Sequence, residues 1–357
     1  GATIIGSDVQ KITNAAYDIH DRTSQSTIEN YEVTGEGDIF TDVQVIKYLS
    51  YDRYGNGEHQ TIDTFDNLSM ATANLISHKD ITNNYGAEGA TIDVQLVDGT
   101  IITKSATFAR KRGTALSSVS VETDKDGLLI QRNVTTTSLF DVRGNAIDQS
   151  TDKFVADSLG AELLQQRTLT HNVNIDARGD AAAQEITTMT TGASGLEATL
   201  EVSNFQVMTN RTFDGRHNVL NQMSYSYDVA GGDLMQVSEI RSMGFAPSGV
   251  AREQNIVTYA DILKTQIIES KHVVNSIILS NGNVRLSEID IYRTAAISGD
   301  GGDITFQDLQ EHQRIETSLF DARGNALTQN IRKVYYASDG ATIIGSDVQK
   351  ITNAAYD

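Results

Sequence analysis

Seven histidines, 47 acidic residues and no cysteine set the chemistry open to this 357-residue chain. His20, His59, His78, His171, His217, His272 and His312 form no HxH or HExxH pair, so the spacing predicts scattered surface imidazoles and no metal-ligating set. Without cysteine there is no thiolate zinc site, disulfide framework or cysteine nucleophile. No GxSxG elbow or P-loop occurs, and the GDGGD run at 299–303 lacks the following helix that phosphate binding needs. Carboxylates are too numerous to single out a glycosidase-like acid and base. No catalytic residue is assigned, and the chain reads as a non-enzyme.

Three further motifs have a plainer reading. Asp124, Asp126 and Gly127 (DKDG), and Asp300 to Asp303 (DGGD), could offer carboxylates to calcium, which takes six to eight oxygen ligands. Neither loop supplies a full ligand series, so both read as hairpin loops; no cofactor is expected, calcium being the one these loops could take. Arg178-Gly179-Asp180 spells an integrin-binding tripeptide, but sister segments read RGN there, which makes it a variant of a turn. Sequons at Asn67, Asn133 and Asn210 matter only in a glycosylating export pathway.

The elements that would carry these residues are set by repetition. Residues 1–18 and 340–357 are identical at all 18 positions, GATIIGSDVQKITNAAYD, at an offset of 339. This implies that 1–339 is one long-period unit and 340–357 the start of the next copy, with Gly1 and Asp357 as cut points in a tandem array continuing with IHDRTSQS. Genuine ends, with subunits exchanging equivalent strands head to tail, are the rival account. Inside the long period lies a shorter one. Residues 137–161 and 317–341 share 14 of 25 positions, with a kernel of aromatic, Asp, any residue, Arg, Gly, Asn. Its positions are Asp141, Arg143, Gly144 and Asn145; Asp176, Arg178 and Gly179; Asp214; and Asp321, Arg323, Gly324 and Asn325. Looser copies are YDRYGN (51–56), FARKRG (108–113) and ILSNGN (278–283), and Tyr17-Asp18 and Tyr356-Asp357 open others. The unit is thus 35 to 45 residues, within the range of repeat arrays.

Each kernel has the chemistry of a tight turn, Asp bonding backbone two residues on and Gly accepting positive φ, in a type I′ or bulged form. His217 fills the Gly position of FDGRHN. Flanking segments alternate with period two, as in Leu196 to Ser203, 92–98 and 117–123, which predicts half-buried strands. A second turn signal follows at Asp98-Gly99, Asp126-Gly127, Gly231-Gly232, Gly301-Gly302 and Asp339-Gly340. The predicted fold is all-β: a tandem-repeat antiparallel meander of strands of about ten residues, forming an extended, curling or tubular sheet. Ala161 to Gln166 has helical propensity but aligns with Ala341 to Ser346, where β-branched residues and Gly oppose a helix, so a strand is predicted. Val250 to Val274 shows no clear turn and is open to a helix or insertion. Pro247, the only proline, suits a turn beside Gly249.

The succession of Tyr-Asp or Phe-Asp, spacer, Gly-Asn, strand and Gly-rich loop resembles the YD repeats of RHS-type bacterial surface and secreted proteins, and the repeat regions of giant bacterial surface proteins. The resemblance implies a long antiparallel sheet, which in the RHS family can enclose a toxin. No toxin module or terminal plug is apparent, and the 339-residue recurrence points to an open-ended array.

Composition narrows the rest. Against 47 acidic residues stand 28 Lys and Arg, a formal charge of −19, which excludes nucleic acid as an electrostatic partner. Hydrophobic residues at 39% suffice for a core, while no apolar run reaches the roughly 18 residues of a membrane helix. The function expected is a structural, self-propagating segment of an extracellular filament or adhesion fibre at the cell surface, its partner being itself. The alternative is an RHS-like shell or repeat module that encloses cargo or binds glycans.

Overall fold

The computed structural model describes residues 7–34, 37–157, 159–279, 281–299, 301–321 and 323–353, and among these the chain is almost entirely β. It divides into two compact units, one of Gln10–Tyr31 and Phe40–Phe205, the other mainly from Gln206 onward. The first carries the greater part of β1 (Ser7–Tyr17), β2 (Thr23–Thr34) and β3 (Gly37–Tyr51), and all of β4 (Gly57–Phe65), β5 (Leu75–Asn84), β6 (Thr91–Gln95), β7 (Ile101–Ser105), helix α1 (Thr107–Arg112), β8 (Ser117–Asp124), β9 (Leu129–Asp141), β10 (Ala146–Ala156), β11 (Glu162–Ile175) and β12 (Ala181–Thr190). β13 (Glu201–Phe213) carries the chain onward. The second unit holds β14 (Val219–Tyr227), β15 (Leu234–Phe245), β16 (Ala251–Tyr259), β17 (Ile267–Ile278), β18 (Val284–Ile297), β19 (Ile304–Phe320), β20 (Ala326–Tyr336) and β21 (Ile343–Thr352).

Within each unit the strands form an antiparallel meander. β1 pairs with β2 and β2 with β3. β3, β4 and β5 follow in order, β5 pairs with β8, and β8 to β12 continue the ladder. From β14 to β21 every strand pairs with the next. Strict alternation of burial with period two is confined to the short strands β6 and β7; longer strands such as β4, β8, β10 and β20 are half-buried on both faces, and full burial concentrates at two places.

In the first unit the β6–β7 hairpin and α1 interrupt the meander between β5 and β8. β6 lies parallel to β9, Val94 opposite Phe140, a non-local pairing that neither turn signals nor periodicity foretold. Ile92, Val94, Ala106, Ala109 and Phe140 form its core, with Val94, Ala109 and Phe140 fully buried. Burying one such Phe or Val side chain contributes about 1.5–3 kcal/mol. In the second unit Met223, Val237, Val257, Tyr259 and Ile304 pack together, flanked by Phe306, which stacks on Tyr292 at 4.7 Å between centroids. Beside them Glu239 is 1% exposed, held by Arg241 at 2.8 Å and Lys264 at 2.7 Å.

Several expectations need correction. FARKRG is no tight turn but the one-and-a-half-turn helix α1, closed by Gly113 in the left-handed region (φ 74°). The alternating run Leu196 to Ser203 is not one strand: Glu197–Thr199 is a 3-10 turn, and β13 begins at Glu201. Gly192 and Gly195 precede it, and the Thr199 hydroxyl bonds the Leu196 carbonyl at 2.7 Å, so local turn chemistry outweighs period-two hydrophobicity. The strand expected over 92–98 stops at Gln95, where Leu96 and Thr100 close a turn around Gly99. Val250 to Val274 is neither helix nor insertion; it is β16, a turn from Ala260 to Gln266, and β17. Ala161 to Gln166 enters β11 as expected, and Pro247 sits in the turn between Ala246 and Val250. Tyr356-Asp357 and Asp300 lie outside the described residues.

Candidate functional site

The kernels build one recurrent turn. In the copy at Asp141, the Asp141 N–H donates to the Asn145 carbonyl at 2.9 Å and the Gly144 N–H to the Asp141 carbonyl at 3.1 Å. Asp141 Oδ1 accepts the N–H groups of Arg143 (2.7 Å) and Asn145 (2.8 Å), and Oδ2 accepts Asn145 Nδ2 (2.9 Å). Gly144 has φ 94°, the left-handed residue of a bulged three-residue turn. The pattern repeats at Asp321 with Arg323 and Asn325, and at Asp214 with Arg216 and Asn218. Asp176 accepts the N–H groups of Arg178 and Asp180. These bonds hold the Asp176 carboxyl below its usual range, the Asp180 N–H foremost. Gly179 and Gly324 have φ 94° and 87°, and His217 adopts φ 66° in the Gly position. The RGD tripeptide is thus part of a turn whose backbone is bonded to Asp176.

Successive turns are bonded to one another. Arg143 Nη1 donates to the carbonyls of Ile175 (3.1 Å) and Asp176 (3.3 Å) in the next turn. Arg22 does the same to Asp52, and Arg216 to Phe245. The glycines of three kernels also lie against what precedes them in the stack. A Cβ at Gly179 would stand 3.3 Å from Asn145 Oδ1, at Gly324 2.6 Å from Asn283 Oδ1, and at Gly144 2.8 Å from Arg112 Cβ. Gly113, closing α1, lies against Asn56 in the same manner, so the helix occupies a place in the stack that a turn would otherwise fill.

Two polar pairings, invisible in the kernel itself, extend this pattern into the strands. Four residues before a turn's first residue and eight after it, side chains bond across the hairpin: Ser26 to Asn14, Gln149 to Thr137, Gln184 to Asn172, Gln254 to Ser242 and Gln329 to Thr317. Where the earlier position is Asn, its amide can also reach backward. Asn172 donates to Ala146, Asn275 to Ala251 and Asn353 to Ala326, each carbonyl five residues past the start of the preceding turn. The recurrence of Asn before the kernel was the available signal.

Five of the seven histidines pair with a carboxylate on the adjacent strand. His78 pairs with Asp63 (2.6 Å), His171 with Asp148 (2.6 Å), His312 with Asp290 (2.7 Å), His59 with Asp80 (2.9 Å) and His272 with Glu253 (2.9 Å). The first three pairs are directly opposed across neighbouring strands. Their recurrence on different strands marks them as cross-strand supports. The calcium loop is spent likewise: Asp124 Oδ1 accepts the N–H groups of Asp126 and Leu128, and Asp126 pairs with Lys125. Among the described residues no group of three or more His, Asp or Glu side chains could hold a metal ion.

No protein-family model matches the sequence, and no curated protein does. Among solved structures the chain is similar to a porin-like protein from Bacteroides uniformis, at 10% identity and TM-score 0.18, with 99% of this chain and 98% of that one covered. It is also similar to the pore form of the Photorhabdus luminescens Tc holotoxin, at 10% identity and TM-score 0.16, with 90% of this chain covered. A third likeness, to TcdB2–TccC3, has 10% identity, TM-score 0.14 and 89% coverage of this chain. The chain spans 23% and 24% of the length of the latter two.

Proposed function

We propose that this chain is a structural repeat segment of an extracellular filament or surface fibre, one long-period unit spanning 1–339 and a second beginning at 340. The observation that carries the reading is the turn stack. Kernels close their own hairpins, Arg143 and Asn145 engage the neighbouring turn at 175–179, and Arg22 and Arg216 reach their neighbouring turns in the same way, so such a unit is specified by the one before it and specifies the one after. This is the logic of a one-dimensional array, in which stability adds unit by unit through nearest-neighbour contacts. Function then resides in extension and in self-association. The cell-surface setting follows from the resemblance of the kernels to YD repeats. Light scattering and electron microscopy of the purified chain test it. Elongated assemblies that grow with concentration, and with salt as the charge of −19 is screened, are expected. A monodisperse monomer at every concentration and ionic strength would remove the reading.

A further inference from the structure

The 18-residue identity gives one strand sequence two surroundings. In the C-terminal copy, β21 pairs with the preceding strand β20, Thr328 opposite Thr352 and Ile331 opposite Gln349, and Asn353 Nδ2 donates to the Ala326 carbonyl at 3.0 Å. In the N-terminal copy, β1 pairs with the following strand β2. There Gln10 bonds Asn30 at 3.0 Å, and Asn14 Oδ1 accepts from Ser26 at 2.8 Å. At an offset of 339, Asn14 and Asn353 are the same residue of the repeat, bonded through Oδ1 toward the following strand in one copy and through Nδ2 toward the preceding strand in the other. Asn14 Nδ2 instead donates to Tyr17 Oη at 3.1 Å, three residues away on its own strand.

The two sets of bonds are compatible on a single Asn, because Asn172 makes both. Its Nδ2 donates to Ala146 on one side and its Oδ1 accepts from Gln184 on the other. Apolar exposure is complementary too. Val348 is 60% exposed on β21, whereas its counterpart Val9 on β1 is half-buried; Ile12 is 59% exposed on β1, whereas its counterpart Ile351 is half-buried. A strand with neighbours on both edges would cover both residues.

We propose that copies of this chain join head to tail through one strand of the repeated sequence, with β20 of one copy on its first edge and β2 of the next copy on its second. This rests on the self-associating array proposed above and adds its partner and register. In the junction Thr13 takes the place of Thr352 opposite Thr328, or Thr352 takes the place of Thr13 opposite Thr27, and the junction Asn donates to Ala326 while accepting from Ser26. The redundant copy of the strand is displaced.

The chain has no cysteine, so engineered disulfides report the register cleanly. Full chains carrying one substitution each are mixed and oxidised at about 0.15 M salt, where charge repulsion is screened beyond about 8 Å. One mixture combines Thr328→Cys with Thr13→Cys, the other Thr352→Cys with Thr27→Cys. Controls replace Thr13→Cys by Lys11→Cys and Thr27→Cys by Glu29→Cys, two residues out of register. Opposed residues lie about 4.5–5.5 Å apart between Cα atoms and diagonal ones about 7–8 Å, beyond disulfide reach. The expected result is a mixed disulfide, identified by mass, at least about tenfold above its control at one edge or both. Circular dichroism of each variant establishes that it is folded, and the two edges are independent should one substitution fail. Absence of an in-register mixed disulfide at both edges, or equal yield in the controls, overturns the proposal. If light scattering still shows association, the register fails and the fibre reading stands; if nothing associates, both fall.

Discussion

Alanine at Gly144 and at Gly127 separates what a turn glycine does for its own hairpin from what it does for the stack. Both residues have positive φ, 94° and 79°, so alanine at either costs the left-handed penalty of about 1–2 kcal/mol. At Gly127 a Cβ meets nothing within 4 Å. At Gly144 it would stand 2.8 Å from Arg112 Cβ and 2.9 Å from Arg112 Cγ, on the stem of the side chain, so α1 must shift. Overpacking of that kind adds about 1–3 kcal/mol. Gly127→Ala should therefore lose about 1–2 kcal/mol and Gly144→Ala about 2–5 kcal/mol. For a cooperative unit of about 150–250 residues the difference between them is about 2–12 °C in Tm. Thermal and urea melts followed by circular dichroism check this, and valine at Gly144 should be worse again because of its β-branch. Equal shifts for the two alanines would refute the stacking contact. No shift in either would refute the turn itself.

Glu239→Ala removes the buried carboxylate shared by Arg241 and Lys264, leaving Arg241 its bonds to the Gly302 and Ile240 carbonyls, and should cost the second unit about 1–3 kcal/mol in denaturant unfolding, with Glu239→Gln less damaging. Asn275→Ala leaves the Ala251 carbonyl without its amide donor and should cost about 1–3 kcal/mol, read in the same melts. Acid should weaken the turns. The Arg22 side chain pulls Asp18, and the Thr342 hydroxyl pulls Asp339, from the ordinary 3.8 to about 2. Because these folded values lie below the unfolded ones, the stabilisation is complete above about pH 4 and is lost as pH falls through about 2; a pH titration of Tm that is flat from 5 to 2 would contradict this.

What the sequence disclosed and what it hid divide along the range of the interaction. The kernel was legible because its bonds close within five residues: Asp141 reaches Arg143 and Asn145, and Gly144 supplies the left-handed backbone locally. FARKRG resembled a kernel through its leading Phe108 and its Arg112-Gly113 pair but lacks the turn Asp; Gly113 does adopt the left-handed conformation, but as a helix cap. The pairing of His171 with Asp148 spans 23 residues and depends on register, which composition does not carry. The same holds for the parallel contact of β6 with β9 and for Glu239, whose two cations come from its own strand and from the turn before β17.

In the array proposed above, the Asn residues before the kernel set the polarity. A backbone ladder alone accepts any strand at its edge, in several registers, and exposed edges are for that reason aggregation sites. Asn172 and Asn275 each bond a carbonyl at one fixed place on the strand before, and Asn172 also bonds a side chain on the strand after. The two sides of such a strand are chemically different, an amide donor facing backward and an amide acceptor facing forward. A slip of one residue would turn the Asn to the other face and lose both bonds. Strands so marked can add only in one direction and one register. An interface of this heterologous kind generates either a ring or an open filament, according to whether its rotation closes. In the proposed array the identity of 1–18 with 340–357 removes the need for a specialised joining surface, since the contact that adds a strand within the chain is the one proposed to add the next copy.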